Sequence, residues 1–479
     1  MAPHRDGRDV VLTGSRHHQG VGTRRRRPHT AIPSAHGPLG QRNGGPPARH
    51  LSCSWVEPAM TEHRARHLTT RAALTRALVA ALLVLAGLVA PIAGTAPAHA
   101  GPAGADDDVT AQLRADIDAY LQERGAAEHV SAAGLSVSLP GHRSTIDVTA
   151  GTTTFGGSVP VPADAVWQIG SNTKAFTAVL LLQLEAQHRL SIDDTLGTWL
   201  PQYPQWRDVT IRRLLNMTSG IPTYDNQDAW YADYAADPHR YFSQEQLVGY
   251  VLDAPATSGY SYSNTNYVLA EMIIERATGR SYSDQLYRRI IEPLGLRDLH
   301  YRPDVYPAWV TDREPAGYLF NPHFPLPGLL GQDVSRDTLS WARSAGAIIS
   351  TTGDMTRWER ALYGGRLLPP QQQAELESLI SIATSEPIDS TSATDPEGFG
   401  LGIAQLTNPQ IGTFWFYEGQ TLGFRAVHAY FPESGLIIAF ALNSAVERSN
   451  DRIGPLMQTL YETVEAAGLV HPRQATPGA

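Results

Sequence analysis

Cysteine is almost absent: Cys53 is the only one in 479 residues, which excludes an intramolecular disulfide and any multi-cysteine zinc or iron–sulfur site. Lysine is as scarce. Lys174 stands alone, so 37 of the 38 basic residues are arginine. Gly 42 and Pro 34 are scattered without a period, so collagen-like chains and solenoid repeats are unsupported. Charged residues make up 18% and hydrophobic ones 42%, a balance that fits a globular protein rather than a disordered, fibrous or multispan membrane one.

The first hundred residues do not read as fold. Residues 1–59 are rich in Arg, Pro, Gly and His, include Arg24-Arg25-Arg26-Arg27, and show no apolar periodicity; they read as disorder or as an over-long start assignment. From Met60 the pattern changes. Arg64, Arg66, Arg71 and Arg76 precede an apolar run at 77–90, and Ala98-His99-Ala100 offers small residues where an export peptidase reads. We read 60–100 as a signal peptide cleaved between Ala100 and Gly101; a run of that length falls short of the ~20 residues a membrane span needs. Removal of 1–100 takes away 13 arginines and four acidic residues, leaving 25 basic against 43 acidic. The exported chain is then acidic and thiol-free, and nucleic acid is not expected as a partner, because phosphate binding needs clustered positive charge. No membrane span is expected after residue 100, and localisation is expected in the secreted, periplasmic or cell-wall space.

Periodicity outlines one domain over 115–468, after a short segment 101–114 and before a flexible tail 469–479. Val109, Leu113, Ile117, Tyr120 and Leu121 recur at helical spacing. Residues 132–139 and 144–150, separated by Pro140-Gly141-His142-Arg143, read as a hairpin. The stretch 176–184 is apolar nearly all round, as in a buried helix. Residues 413–417, 423–431 and 436–441 read as neighbouring antiparallel strands, 381–396 as a polar surface loop, and about 452–467 as a closing helix. The expected fold class is α/β: an antiparallel sheet completed by strands from both ends of the chain and flanked by helices, with an embedded, mostly helical subdomain.

A chain that uses arginine for every other basic position keeps lysine where it needs an amine that can lose its proton. Lys174 follows Ser171 by three residues at the start of the apolar helix, so one turn brings amine and hydroxyl together. A helix N-terminus also favours developing negative charge. A capping serine beside a lysine is the competing account. Tyr-x-Asn occurs twice. Tyr224-Asp225-Asn226 lies in an Asp-rich stretch and reads as a turn. Tyr262-Ser263-Asn264 precedes an apolar helix at 268–277, where Tyr262 could relay a proton and the Asn264 amide could orient the lysine and a substrate carbonyl; a helix-capping cluster is the alternative.

Ile169-Gly170-Ser171-Asn172-Thr173-Lys174 and Tyr262-Ser263-Asn264-Thr265-Asn266-Tyr267 together resemble two motifs of the serine β-lactamase and D-alanyl-D-alanine carboxypeptidase superfamily, in the branch with class C β-lactamases and β-lactamase-like esterases. Leu214-Leu215-Asn216-Met217-Thr218-Ser219-Gly220 resembles its Leu-Leu-x-His-Thr-Ser-Gly segment, with Met217 at the histidine. Glu292-Pro293-Leu294-Gly295-Leu296 and Ser350-Thr351-Thr352-Gly353-Asp354-Met355 also match, and the resemblance spans roughly 115–465. It implies Ser171 as nucleophile, Lys174 and Tyr262 as the proton-transfer pair, and the N–H groups of Ser171 and Gln420 as oxyanion hole. The third motif departs: where the family has Lys or His, any residue, then Gly, this chain has Tyr417-Glu418-Gly419. Tyr417 carries no positive charge near neutral pH, which weakens carboxylate reading; Arg425 could substitute, or be a solvated strand arginine.

Other schemes lack their residues: no Gly-x-Ser-x-Gly, His-Glu-x-x-His, Walker or Rossmann loop occurs. Asp193-Asp194 reads as a cap rather than a paired acid site. Trp230, Tyr231, Tyr234, Tyr241 and Phe242 either wall a cleft or build the helical core. The expectation is an exported serine acyl hydrolase of D-alanyl-D-alanine carboxypeptidase type, with a β-lactamase or esterase as the alternative and a penicillin-binding-like sensor or inactive peptide-binding domain as a reading of another class. Expected site residues are Ser171, Lys174 and Tyr262, with Asn264, Tyr417, Gly419, Gln420 and Arg425 binding a small peptide, β-lactam or ester, possible cell-wall peptides included. No metal or cofactor is expected.

Overall fold

The first helix among the described residues, α1 (Ala103–Glu128), buries Val109, Leu113, Ile117 and Tyr120 on one stripe. The computed structural model describes residues 103–470 apart from Arg143. The expected signal peptide, the upstream stretch and residues 471–479 lie outside them. Val470, expected in the tail, is buried in the same cluster as α1.

Strands β1 (Ala132–Ser138) and β2 (Thr145–Gly151) form the expected hairpin. After β3 (Trp167–Gln168) the chain enters α2 (Thr173–Ala186), buried along most of its length. The helical part follows, including α3 (Asn264–Thr278). Next come β4 (Tyr318–Phe320), β5 (Ile349–Ser350) and α4 (Thr352–Tyr363). Strands β6 (Leu379–Ser381), β7 (Pro387–Ile388), β8 (Glu397–Phe399) and β9 (Ala404–Asn408) precede β10 (Gly412–Gln420), β11 (Arg425–Phe431), β12 (Leu436–Leu442) and β13 (Ser444–Val446). The last helix among the described residues is α5 (Ile453–Ala466).

Nine strands make one sheet in the order β2-β1-β12-β11-β10-β9-β8-β6-β7, antiparallel at each pairing. Strands from both ends of the chain therefore complete it, as expected. The stretch read as a surface loop carries β7 and extends the sheet edge instead. Strand β12 is buried at every position, which accounts for its unbroken apolar run: both faces of the sheet are covered. Burial of Ile438 or Phe440 stabilises the fold by about 1.5–3 kcal/mol each.

Alternation divides the side chains between two cores. Leu135, Val137, Val427, Ala429, Ile438 and Phe440 face α1 and α5. Ala426, Ala439 and Ala441 join the core around α2 and α4. Small residues on that second face let the buried elements approach; a Cβ on Gly134 would stand 2.8 Å from Trp167 Nε1. Of the aromatic tract, Trp230, Tyr234 and Phe242 are core, while Tyr241 is 53% exposed. Asp194 accepts from Ser191 N and Trp199 Nε1, and Asp193 pairs with Arg212, so this acidic pair organises a turn.

Candidate active site

Ser171 lies in a single 3-10 turn, Gly170–Asn172, that leads into α2. Gly170 has φ +51, a left-handed value that a side chain resists, and its Cβ would stand 2.6 Å from Gln420 N. Across the seam, a Cβ on Gly419 would meet Ile169 O at 1.9 Å and Ser171 N at 2.8 Å. The two glycines are thus what allows the turn to lie flush against β10. This seam brings the backbones of Ser171 and Gln420 side by side.

Lys174, fully buried on the first turn of α2, donates from Nζ to Ser171 Oγ at 2.9 Å and to Ala345 O at 2.8 Å. Tyr262 donates from Oη to the same Ser171 Oγ at 2.7 Å, and the amine sits 4.9 Å from the centre of the Tyr262 ring. The Tyr262 loop is held from behind. Ser261 N donates to Met217 O at 2.8 Å, Ser263 N approaches Met217 Sδ at 3.4 Å, and Ser263 Oγ donates to Pro222 O. Met217, at the histidine position of the resembled segment, adopts φ +63 and is fully buried. Its sulfur serves as a weak acceptor there.

Asn264 differs from expectation in its partner: its Nδ2 donates to Asp225 Oδ2 at 2.7 Å, and its buried Oδ1 has no hydrogen-bond partner. Tyr224-Asp225-Asn226 is a 3-10 turn, as read, and Tyr224 donates to Trp341 O from within the core. Tyr417 points to the same side of the sheet as Ser171, with its Oη 3.5 Å from Tyr262 Oη.

Arg425 requires a correction. It is fully buried, paired with Glu128 at 2.7 Å and Asp451 at 2.6 Å, and donates to Ser444 O. Ala426 and His428, the next and third residues along, face the Ser171 side, where Asn172 touches both. Odd-numbered positions of β11 face α1 and α5, so parity turns Arg425 away from the cleft. It joins helices to the sheet and is unavailable to a substrate carboxylate. His428 was missed: nothing at that position stands out until the sheet register brings it opposite Tyr417.

Among the described residues, no group of three or more His, Cys, Asp or Glu could hold a metal ion, and no helix is long and apolar enough to cross a membrane. A family model described as Beta-lactamase matches residues 113–459. A penicillin-binding protein from Bacillus subtilis (strain 168) is 28% identical over 275 residues, covering 55% of this chain and 58% of the relative. Penicillin-binding protein 4 from Amycolatopsis lactamdurans is 33% identical over 195 residues, covering 39% and 50%. The chain thus spans between half and two thirds of the length of these relatives. Among solved structures, a D-stereospecific amidohydrolase from Streptomyces sp. is 29% identical at a TM-score of 0.58, covering 71% of this chain and 94% of that one. A D-amino acid amidase from Ochrobactrum anthropi SV3 shares the fold, at 23% identity and a TM-score of 0.62, covering 75% and 99%.

Proposed function

The chain belongs to the beta-lactamase family, and on that premise we propose that it is an exported serine acyl hydrolase working through a Ser171 acyl-enzyme. The observation that carries this reading is the double hold on Ser171 Oγ, by Lys174 Nζ at 2.9 Å and Tyr262 Oη at 2.7 Å. Ser171 Oγ attacks the substrate carbonyl while the Lys174–Tyr262 pair takes its proton. The N–H groups of Ser171 and Gln420 receive the oxyanion, the pair returns the proton to the leaving group, and water, deprotonated by the same pair, releases the acyl group. Export is supported by the basic-then-apolar segment at 60–100.

The residues at positions 417 and 425 support one substrate class over another. Position 417, where the family has Lys or His, is an uncharged tyrosine, and Arg425, the expected substitute, faces the opposite side of the sheet, so neither position supplies a cation to a carboxylate. We therefore favour amides and esters of short, D-configured acyl groups whose leaving side bears no carboxylate; similarity to a D-stereospecific amidohydrolase supports this. D-alanyl-D-alanine carboxypeptidase activity is the second reading, supported by the similarity to penicillin-binding proteins.

Matched substrates separate the two. The purified 101–479 protein should hydrolyse D-alanine amide and a p-nitrophenyl ester at least as well, by kcat/KM, as the corresponding free-acid peptides, and Ser171→Ala should abolish turnover and labelling by a fluorophosphonate. Tyr417→His should move preference toward the acids by about 1–2 kcal/mol, one hydrogen bond to a charged group. A strong native preference for the acids would return the enzyme to the carboxypeptidase side, and labelling at another serine would sink the assignment of Ser171.

A further inference from the structure

Two buried polar residues under the nucleophile turn, Asn172 and His428, have no part in the acyl transfer described above. Asn172 directly follows Ser171. Its Nδ2 donates to Ile169 O at 2.7 Å, within the turn, and to Ala426 O at 2.9 Å, on β11. Both amide hydrogens are thereby used on carbonyls, which fixes the orientation of the side chain and presents Oδ1 to His428 Nδ1 at 2.7 Å. An amide oxygen only accepts, so Nδ1 is the nitrogen that carries the proton.

His428 itself is fully buried, and its Nε2 has no hydrogen-bond partner. Glu359, from α4, brings Oε1 to 3.3 Å from the same Nδ1. Burial pushes the Glu359 carboxyl well up and the His428 imidazole down to about 3. Burial disfavours the charged form of each, and Glu359 Oε1 stands farther from Nδ1 than Asn172 Oδ1 does. Of the other titratable neighbours, Tyr363 of α4 has its ring 6.5 Å away and its hydroxyl buried, and Tyr417 lies opposite on β10.

We propose that His428 is a positioning residue: its Nδ1–H fixes the Asn172 amide, which ties the Gly170–Asn172 turn to β11 and so sets Ser171 against Gln420 on β10. The proposal rests on the reading of Ser171 as nucleophile. Its rationale is geometric, since a displacement of about 1 Å in a reacting group can cost about 100-fold in rate. The Asn172 tether is a side-chain bond from the nucleophile turn to the neighbouring strand β11.

Two measurements test it, one of them independent of turnover. Long-range 1H–15N spectra of the full mature chain, with His428 assigned by the signal lost in His428→Asn, should show a neutral ring protonated at Nδ1 at pH 7. A ring protonated at Nε2, or at both nitrogens, overturns the proposal whatever the enzyme hydrolyses. In the kinetic arm, with p-nitrophenyl acetate as probe, His428→Leu should lower kcat at least about tenfold with KM within about twofold. His428→Asn keeps a donor where Nδ1 stood and should recover kcat to within about threefold. Asn172→Leu should match His428→Leu, and the double variant should be no worse than either, as for residues acting as a unit. Equal losses in His428→Leu and His428→Asn, or additive losses in the double variant, would assign the effect to packing and overturn the proposal. Failure of wild-type Ser171 to react with a fluorophosphonate would instead sink the reading of the nucleophile, leaving the spectroscopic arm to decide the tautomer and the tether.

Discussion

Replacing Lys174 by arginine separates charge from basicity. Arginine keeps the positive charge and much of the length but cannot give up its proton, so turnover should fall at least about 100-fold, the low end for loss of a general base, while circular dichroism stays native. Near-wild-type rates would mean that the amine acts only as a charge and that Tyr262 is the base. The pairing of Ser171 with Lys174 was legible because it is local: three residues on one turn fix the geometry. Tyr262 was legible from its motif and meets Ser171 Oγ at 2.7 Å. Arg425 was misread because the choice of sheet face depends on register, which no local pattern at 421–425 displays. His428 was invisible for a similar reason, since its partner Asn172 lies 256 positions away.

At the scale of elements, the buried arginine is a joint. Arg425 holds the end of α1 through Glu128 and the approach to α5 through Asp451, so Arg425→Ala takes the buried cation from Asp451 and leaves Glu128 to its second partner, Arg124. Removal of one partner of a buried pair typically costs about 3–5 kcal/mol, and urea unfolding should show a loss of that order; a change below about 1 kcal/mol would contradict the joint. The elements that the sequence displayed best were those with room for a period: α1, α2, the β1–β2 hairpin and the β10–β12 run. Strands β6, β7 and β8 have two or three residues each, too few for alternation to register, and 381–396 accordingly read as loop. Embedded helices of four to six residues, such as Leu196–Trp199 and Gln244–Gly249, were legible only as mixed segments for the same reason.

Across the whole molecule, buried titrating groups set opposing dependences of stability on pH. Burial raises the Glu314 carboxyl from its ordinary value of 4.5 to about 8. The folded state then holds a proton that the unfolded chain has released, so this group's contribution falls as pH rises from about 4.5 to about 8 and is constant above. His428 works in the other sense: with its ring lowered from 6.5 to about 3, the unfolded chain takes up the proton first, and stability is lost as pH falls from about 6.5 toward 3. Each proton contributes a slope near 1.4 kcal/mol per pH unit in the middle of its window. Glu314→Gln should remove that much of the decline between pH 5.5 and 7 in urea-unfolding series, and parallel curves for variant and wild type would exclude the assignment. The sheet adds a constraint of a different kind, one of time. Strand β1 pairs with β12, and Ser131 N donates to Asn443 Oδ1 across 312 positions. A growing chain therefore carries an unmatched hairpin edge until β12 has been made, and early pairing of that edge with the wrong strand is the hazard such topology creates. The same delay keeps the chain open, because the sheet cannot close before β12 is available to β1.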